Sequence, residues 1–342
     1  MKLTVKLAIF ASVVHVSNLM ATQQSDQVPP VIYDGCSAYD IASLAPKLKS
    51  SPIKAFRHQY SQILTHWFKP FHMVHDAVAN PGKSTTITAK FDYDRVWHKD
   101  LEDEDIHAYL FGTGMEQWTY LGQYTTNNDG KIHVKIPGQK AGDYVIRMVV
   151  EGDGTTVDGF LSVRQPKHEA IVFDLDGTLT ISDAEQVGDY IGIKTATPFY
   201  YAKETLQAYR EKGYQLIFLS ARPYWLAKDS RDWLQHTMQQ PDWHLHTNEN
   251  GELTKAGQGH KAFKTKYLKR LQKERNLKIV RAYGNAQSDI DAYEEAGIPK
   301  AETYILGENA GNDGTQVVGD DYVYHFTSVV ASMPEAKCKQ LK

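Results

Sequence analysis

Asp174 and Asp176 stand one residue apart at the end of an apolar run, AIVFDLDGTLT (Ala170 to Thr180), and Thr178 follows two positions later. Like charges at this spacing repel, so a site built on them includes something positive. Equivalent polar positions end two further apolar runs: Ser220 and Arg222 after YQLIFL, and Asn285 and Asp289 after LKIVRAYG. Carboxylates delivered by separate strand-end turns form a hard, oxygen-lined pocket of the kind Mg²⁺ prefers. Such a cation offsets the repulsion between the aspartates.

The elements that must position these residues follow a strand–helix alternation from His168 onward. AIVFDLDG reads as a buried strand, PFYYAKETLQAYREKG as a helix closed by glycine, and YQLIFLSAR as a second buried strand. WLAKDSRDWLQHTM and the strongly charged HKAFKTKYLKRLQKERN read as helices. LKIVRAYGN follows as strand, SDIDAYEEAG as helix and AETYILG as strand. This order predicts an α/β domain with a doubly wound parallel sheet over 166–330, whose functional crevice lies at the carboxyl ends of the strands.

Upstream the period changes. Over Asn80 to Asp94, Ile87, Ala89, Phe91 and Tyr93 alternate with polar residues. Five more short strand patterns follow, up to Arg164, separated by turns such as Asn128-Asp129-Gly130. They predict an all-β, immunoglobulin-like sandwich over 80–165. From Tyr39 to Phe71 apolar residues recur at mostly helical spacing, so 22–79 reads as a helical segment, interrupted at Pro46 and Pro52. Residues 331–342 read as a C-terminal tail.

The motifs DLDGT, the serine of LIFLS, a lysine in a later helix and GNxxSD together resemble the four motifs of the haloacid dehalogenase-like phosphatases. FDLDGTLT, LSARP and GNAQSDIDAYEEAGIP are most similar to the catalytic domain shared by lipins and the membrane-associated phosphatidylinositol transfer proteins. The likeness extends over about Met73 to Phe326, because HDAVANPGKSTTITAKFDYD and GDYVIRMVVEGDGTTVDGFLSV resemble the segment preceding that domain in the transfer proteins. It implies Asp174 as nucleophile forming an aspartyl-phosphate and Asp176 as the group that moves the proton. It also implies Mg²⁺ held by Asp174, the Asp176 main-chain carbonyl, Asp289 and Asn285. The resemblance further implies that Thr178, Ser220 and a lysine bind the phosphate. Lys264 fits the lipin-like pattern and is preferred; Lys261 fits the transfer-protein pattern. Arg222 and Tyr224 either shape the substrate entrance or cap the strand-to-helix turn.

The gaps from Thr178 to Ser220 and from Ser220 to Lys264 leave no room for a large cap domain, which suits a bulky or membrane-embedded phosphomonoester. Trp225, Trp233 and Trp243 either meet a bilayer interface or pack against the sheet. The resemblance thus implies a phosphatidate phosphatase with a phospholipid or membrane-surface substrate. Two alternatives stand beside it: an exported phosphatase of broad specificity, and a phosphatidate-binding module without turnover. Some transfer-protein relatives lack the aspartate pair, whereas Asp174, Asp176, Thr178 and Asp289 are all present here. That speaks against the pure binding module.

The chain has 342 residues and a net charge of −3, which gives no argument for a nucleic-acid partner. Lys2 and Lys6 precede an apolar Leu7–Val16 and the small-residue step Leu19-Met20-Ala21, so 1–21 reads as a signal peptide and the protein as exported. The two cysteines, Cys36 and Cys338, either pair as one disulfide or stay as thiols. His72, His75, His98 and His107 match no familiar metal spacing and read as scattered surface residues.

Overall fold

In the computed structural model the residues described are 36, 41–94, 97–181, 196–240, 244–248 and 257–340. The predicted signal peptide and Trp243 lie outside them. Short helices α1 (Ile41–Leu44) and α2 (Gln59–Trp67) precede ten strands. These are β1 (Met73–Val74), β2 (Ala77–Ala79), β3 (Thr85–Lys90), β4 (Asp92–Tyr93), β5 (Lys99–Asp100), β6 (Asp105–Gly112), β7 (Thr119–Thr125), β8 (Lys131–Ile136), β9 (Gly142–Val150) and β10 (Thr156–Val163). One sheet runs β1-β3-β8 and the other β2-β10-β9-β6-β7. Ile87, Val134, Ile146 and Leu161 fill the space between them. Alternation along β8, where Ile132, Val134 and Ile136 are buried and the residues between them are not, is the expected consequence of one face meeting the core.

The helical reading of 22–79 needs correcting. Between α1 and α2 the chain is non-helical, with Lys54 N–H bonded to the Glu151 carbonyl and Arg57 forked onto Asp105. At 73–79 it joins the sandwich. β1 pairs antiparallel with β3, and β2 pairs parallel with β10 through Leu161 and Ala77. These partners lie far along the chain, so local periodicity carried no trace of them. Tyr60, Ile63 and Trp67 of α2, although they fall within that apolar periodicity, are 61%, 52% and 74% exposed.

The second domain is a parallel sheet with order β13-β12-β11-β14-β15-β16. Its strands are β11 (Glu169–Phe173), β12 (Gln215–Pro223), β13 (Leu245–Asn248), β14 (Lys278–Gly284), β15 (Thr303–Ile305) and β16 (Gln316–Val317), all in parallel register. Its helices are α3 (Ala202–Glu211), α4 (Ala227–His236), α5 (Gln258–Lys273) and α6 (Gln287–Glu295). β11, buried at every residue, sits in the middle. The chain winds outward first through β12 and β13, then returns to the other side through β14, β15 and β16. That reversal places a crevice at the carboxyl ends of β11 and β14.

The two domains share a seam that is both apolar and ionic. Phe111, Val145 and Phe160 of the sandwich pack into the same cluster as Leu206 and Trp233 of the sheet domain. Arg231 of α4 donates to Asp76 at 2.8 Å, and Asp76 also accepts from the Phe160 and Leu245 amides. Cys36 and Cys338 form a disulfide with their Cα atoms 5.5 Å apart. No described helix is long and apolar enough to cross a membrane.

The four sandwich histidines are not surface residues. His72, His75 and His107 are buried and His98 is largely so, facing the ring of Trp225. Trp233 is buried, its indole N–H donating to the Ala196 carbonyl at 2.8 Å, and Trp225 is half-buried.

Candidate functional site

Four strand and helix ends converge on the crevice. Asp174 follows β11 directly, and its amide donates to the Tyr283 carbonyl of the neighbouring β14 at 3.0 Å. The chain then turns at Gly177, whose φ of +65° and position beside Asn285 both demand glycine. A Cβ there would lie 2.0 Å from Asn285 Nδ2. Asp289 is the third residue of α6, and its Oδ2 accepts the Asn285 and Ala286 amides at 3.1 and 3.2 Å. It therefore caps the helix while presenting its other oxygen to the crevice.

Lys264 supplies the positive partner. On α5 the residues His260, Lys264, Leu268 and Leu271 recur at helical spacing and form the buried face. The Lys264 ammonium within that stripe lies 2.7 Å from Asp174 Oδ1 and 2.5 Å from Asp289 Oδ1. Lys261 is turned toward the rim, 3.5 Å from Glu295. Burial disfavours the Lys264 charge, yet the two carboxylates outweigh it and hold the amine protonated. Burial pushes the Asp174 carboxyl up to about 7; Lys264 opposes the rise, and Asp289 and Asp176 add to it.

The remaining positions sit around this triad. Thr178, fully buried, donates weakly to Asp174 Oδ2 and to Asn285 Oδ1, each at 3.4 Å, while its carbonyl accepts from the Tyr322 hydroxyl at 3.0 Å. Ser220 is buried near the end of β12, and its Oγ accepts the Arg222 amide at 3.3 Å. The Asp176 side chain pairs with Arg222, while Lys264 pairs with Asp174 and Asp289. Both Asp176 oxygens accept from Arg222, Oδ2 from Nε at 2.7 Å and Oδ1 from a terminal nitrogen. Arg222 donates further to Ser230 Oγ at 2.8 Å. So Arg222 clamps Asp176 and, through Ser230, also ties the end of β12 to α4 across the strand-to-helix turn.

Arg222 and Tyr322 are the two participants whose roles the sequence left undefined. Arg222 was visible, two residues past Ser220, but its partner is 46 residues away. Tyr322 contacts Thr178 across 144 residues, and no local pattern marks it.

The donor set suits a hard dication. Two buried carboxylates share one ammonium, and the Asn285 amide oxygen lies beside them on the Thr178 hydroxyl. Among the described residues no three His, Cys, Asp or Glu side chains are spaced for a metal. A cation here would rest on Asp174 and Asp289 with neutral oxygens beside them.

Residues 70–163 match the family described as the β-sandwich domain of PITM 1-3, and residues 171–307 match its LNS2 domain. Protein retinal degeneration B of Drosophila melanogaster is 27% identical over 76% of this chain and 20% of its own length. Human membrane-associated phosphatidylinositol transfer protein 1 is 25% identical over 82% of the chain and 22% of its own. Mouse membrane-associated phosphatidylinositol transfer protein 3 is 24% identical over 88% and 30%. The chain thus spans less than a third of these relatives' length.

Proposed function

We propose that this chain, which belongs through both of its domains to the β-sandwich and LNS2 families of the membrane-associated phosphatidylinositol transfer proteins, is an exported, Mg²⁺-dependent phosphomonoesterase of haloacid dehalogenase type. Its substrate is phosphatidate in a membrane surface, cleaved to diacylglycerol. The observation that carries this reading is the buried Asp174–Lys264–Asp289 triad at the switch point of the sheet. A pure turn-capping role for Asp174 gives no reason to bury a lysine against it.

A bound Mg²⁺ supplies charge neutralisation at the phosphate oxygens. Asp174 attacks phosphorus in line and carries the phosphoryl group as an aspartyl-phosphate. Lys264 offsets the charge that nucleophile and phosphate share, and Ser220 and Thr178 donate to the phosphoryl oxygens. Asp176 gives a proton to the departing alkoxide and later takes one from the attacking water. Export is supported by the basic-then-apolar N-terminus and by the disulfide, which belongs in an oxidising compartment. The lipid substrate is supported by the relatives named as phosphatidylinositol transfer proteins.

The clamp on Asp176 favours a second reading. A carboxylate with both oxygens on a guanidinium must leave it before it can shuttle protons, so the domain would bind a phosphate headgroup without turning it over. Phosphate release from phosphatidate in mixed micelles and from a soluble aryl phosphate, each with Mg²⁺ or chelator, separates the readings. Chelator-sensitive release mainly from phosphatidate supports the first, and release mainly from the aryl ester points to a broad phosphatase. Binding of phosphatidate with no release from either supports the headgroup sensor.

A further inference from the structure

A cavity of about 250 Å³ lies in the seam between the domains, away from the triad. The sandwich lines it with His75, Thr86 and Thr88, and the sheet domain with His246, Arg270 and Arg275. Arg270 sits six residues beyond Lys264 on α5, about 9 Å further along the helix, and the lining residues share nothing with the triad.

Its charge balance is one-sided. Asp76 also borders the cavity, but its carboxylate is saturated by Arg231 and by the Phe160 and Leu245 amides. Arg270 gives only its Nε to Glu274, at 3.3 Å. The half-buried Arg275 guanidinium has no carboxylate within ion-pair distance among the described residues, and its main-chain carbonyl is pinned by Asn80 Nδ2 at 2.8 Å. Burial and the neighbouring Arg270 act against the Arg275 charge and outweigh the opposing pull of Glu274 and Tyr267. His75 and His246 are held neutral, chiefly by burial, and so add polar atoms without negative charge.

We propose that this seam cavity is a second anion site, which takes a phosphate group on Arg275 and Arg270 with Thr86 and Thr88 as neutral hydrogen-bonding partners. Guanidinium forks match tetrahedral oxyanions, and two of them suit a dianion. The volume admits a phosphate with a small polar substituent, whereas acyl chains stay outside. A free phosphate and a phospholipid headgroup present the same chemistry. Because its walls come from both domains, an occupied site stabilises their junction.

The test is calorimetric titration of the full chain with inorganic phosphate in chelator, for wild type, Arg275→Gln, Arg270→Gln and Asp174→Asn. Each variant is first checked for an unchanged far-ultraviolet spectrum and cooperative melting. Both arginine variants should weaken binding by about ten- to a hundredfold, and Asp174→Asn should leave it unchanged. Turnover of an aryl phosphate should be the same in Arg275→Gln as in wild type. If Asp174→Asn removes binding while the arginine variants keep it, the phosphate occupies the triad and the seam site is overturned. Absence of turnover in every sample would sink the phosphatase reading alone, since the titration does not depend on it. Vesicles of phosphatidylcholine with and without phosphatidate then name the source. A phosphatidate-dependent loss in Arg275→Gln marks a lipid headgroup, and phosphate binding lost without vesicle binding marks a soluble anion.

Discussion

At the scale of the residue, the spacing of Lys261 and Lys264 decides the site. Three positions on a helix differ by about 60° in direction, enough to put one ammonium between two buried carboxylates and the other at the rim. Lys264→Met should therefore cost roughly 3–5 kcal/mol by leaving Asp174 and Asp289 buried and uncompensated, whereas Lys261→Met should change stability by no more than about 0.5 kcal/mol. Urea unfolding of the two variants side by side checks this, and equal losses would remove the argument for Lys264. Asp174→Asn should abolish phosphate release while keeping the wild-type fold. A folded variant releasing phosphate at the wild-type rate would falsify the nucleophile assignment.

At the scale of the element, the turn from β11 into the crevice is set by backbone geometry. Gly177 lies at positive φ with Asn285 against it, so Gly177→Ala meets both a conformational cost and a clash. The expected loss is about 1–3 kcal/mol, with phosphate release falling more than stability because Asn285 and Thr178 shift together. Melting temperature and turnover measured on the same preparation check it. Parallel falls in both would mean that the turn serves folding only.

At the scale of the whole molecule, the seam and the chain ends carry testable charge and covalent features. Burial holds His72 and His325 neutral down to about 4, and His75, His168 and His244 down to about 3. The unfolded chain takes up these protons near pH 6.5, so the folded state binds fewer protons below that and loses stability as pH falls. Asp92 and Asp174, each pushed up to about 7 by burial, act in the opposite sense and offset part of the slope. Melting temperature should drop between pH 6.5 and 4, and His75→Gln should flatten the drop; an identical slope in the variant counts against it. The Cys36–Cys338 bond ties positions 302 residues apart, so the Cys36→Ser/Cys338→Ser pair should lower stability by about 2–5 kcal/mol, read from chemical denaturation.

What the sequence determined by itself was everything local. Buried strands, helix periods, turn glycines and the polar residues ending each strand were legible because each depends on neighbours within a few positions. The alternation that follows His168 was enough to bring Asp174, Ser220, Asn285 and Asp289 to one edge of a sheet, since parallel connections leave few arrangements. Tertiary structure decided the rest. Residues 73–79 became strands because β3 and β10 offered them hydrogen-bonding edges. His75 and His98 pack against His246 and Trp225 of the second domain, His107 is buried by partners within the sandwich, and Asp176 gained its clamp because Arg222 arrives from another strand. The disulfide required two ends of the chain to meet. Each of these is a contact between residues far apart in sequence, whose formation depends on how the whole chain packs.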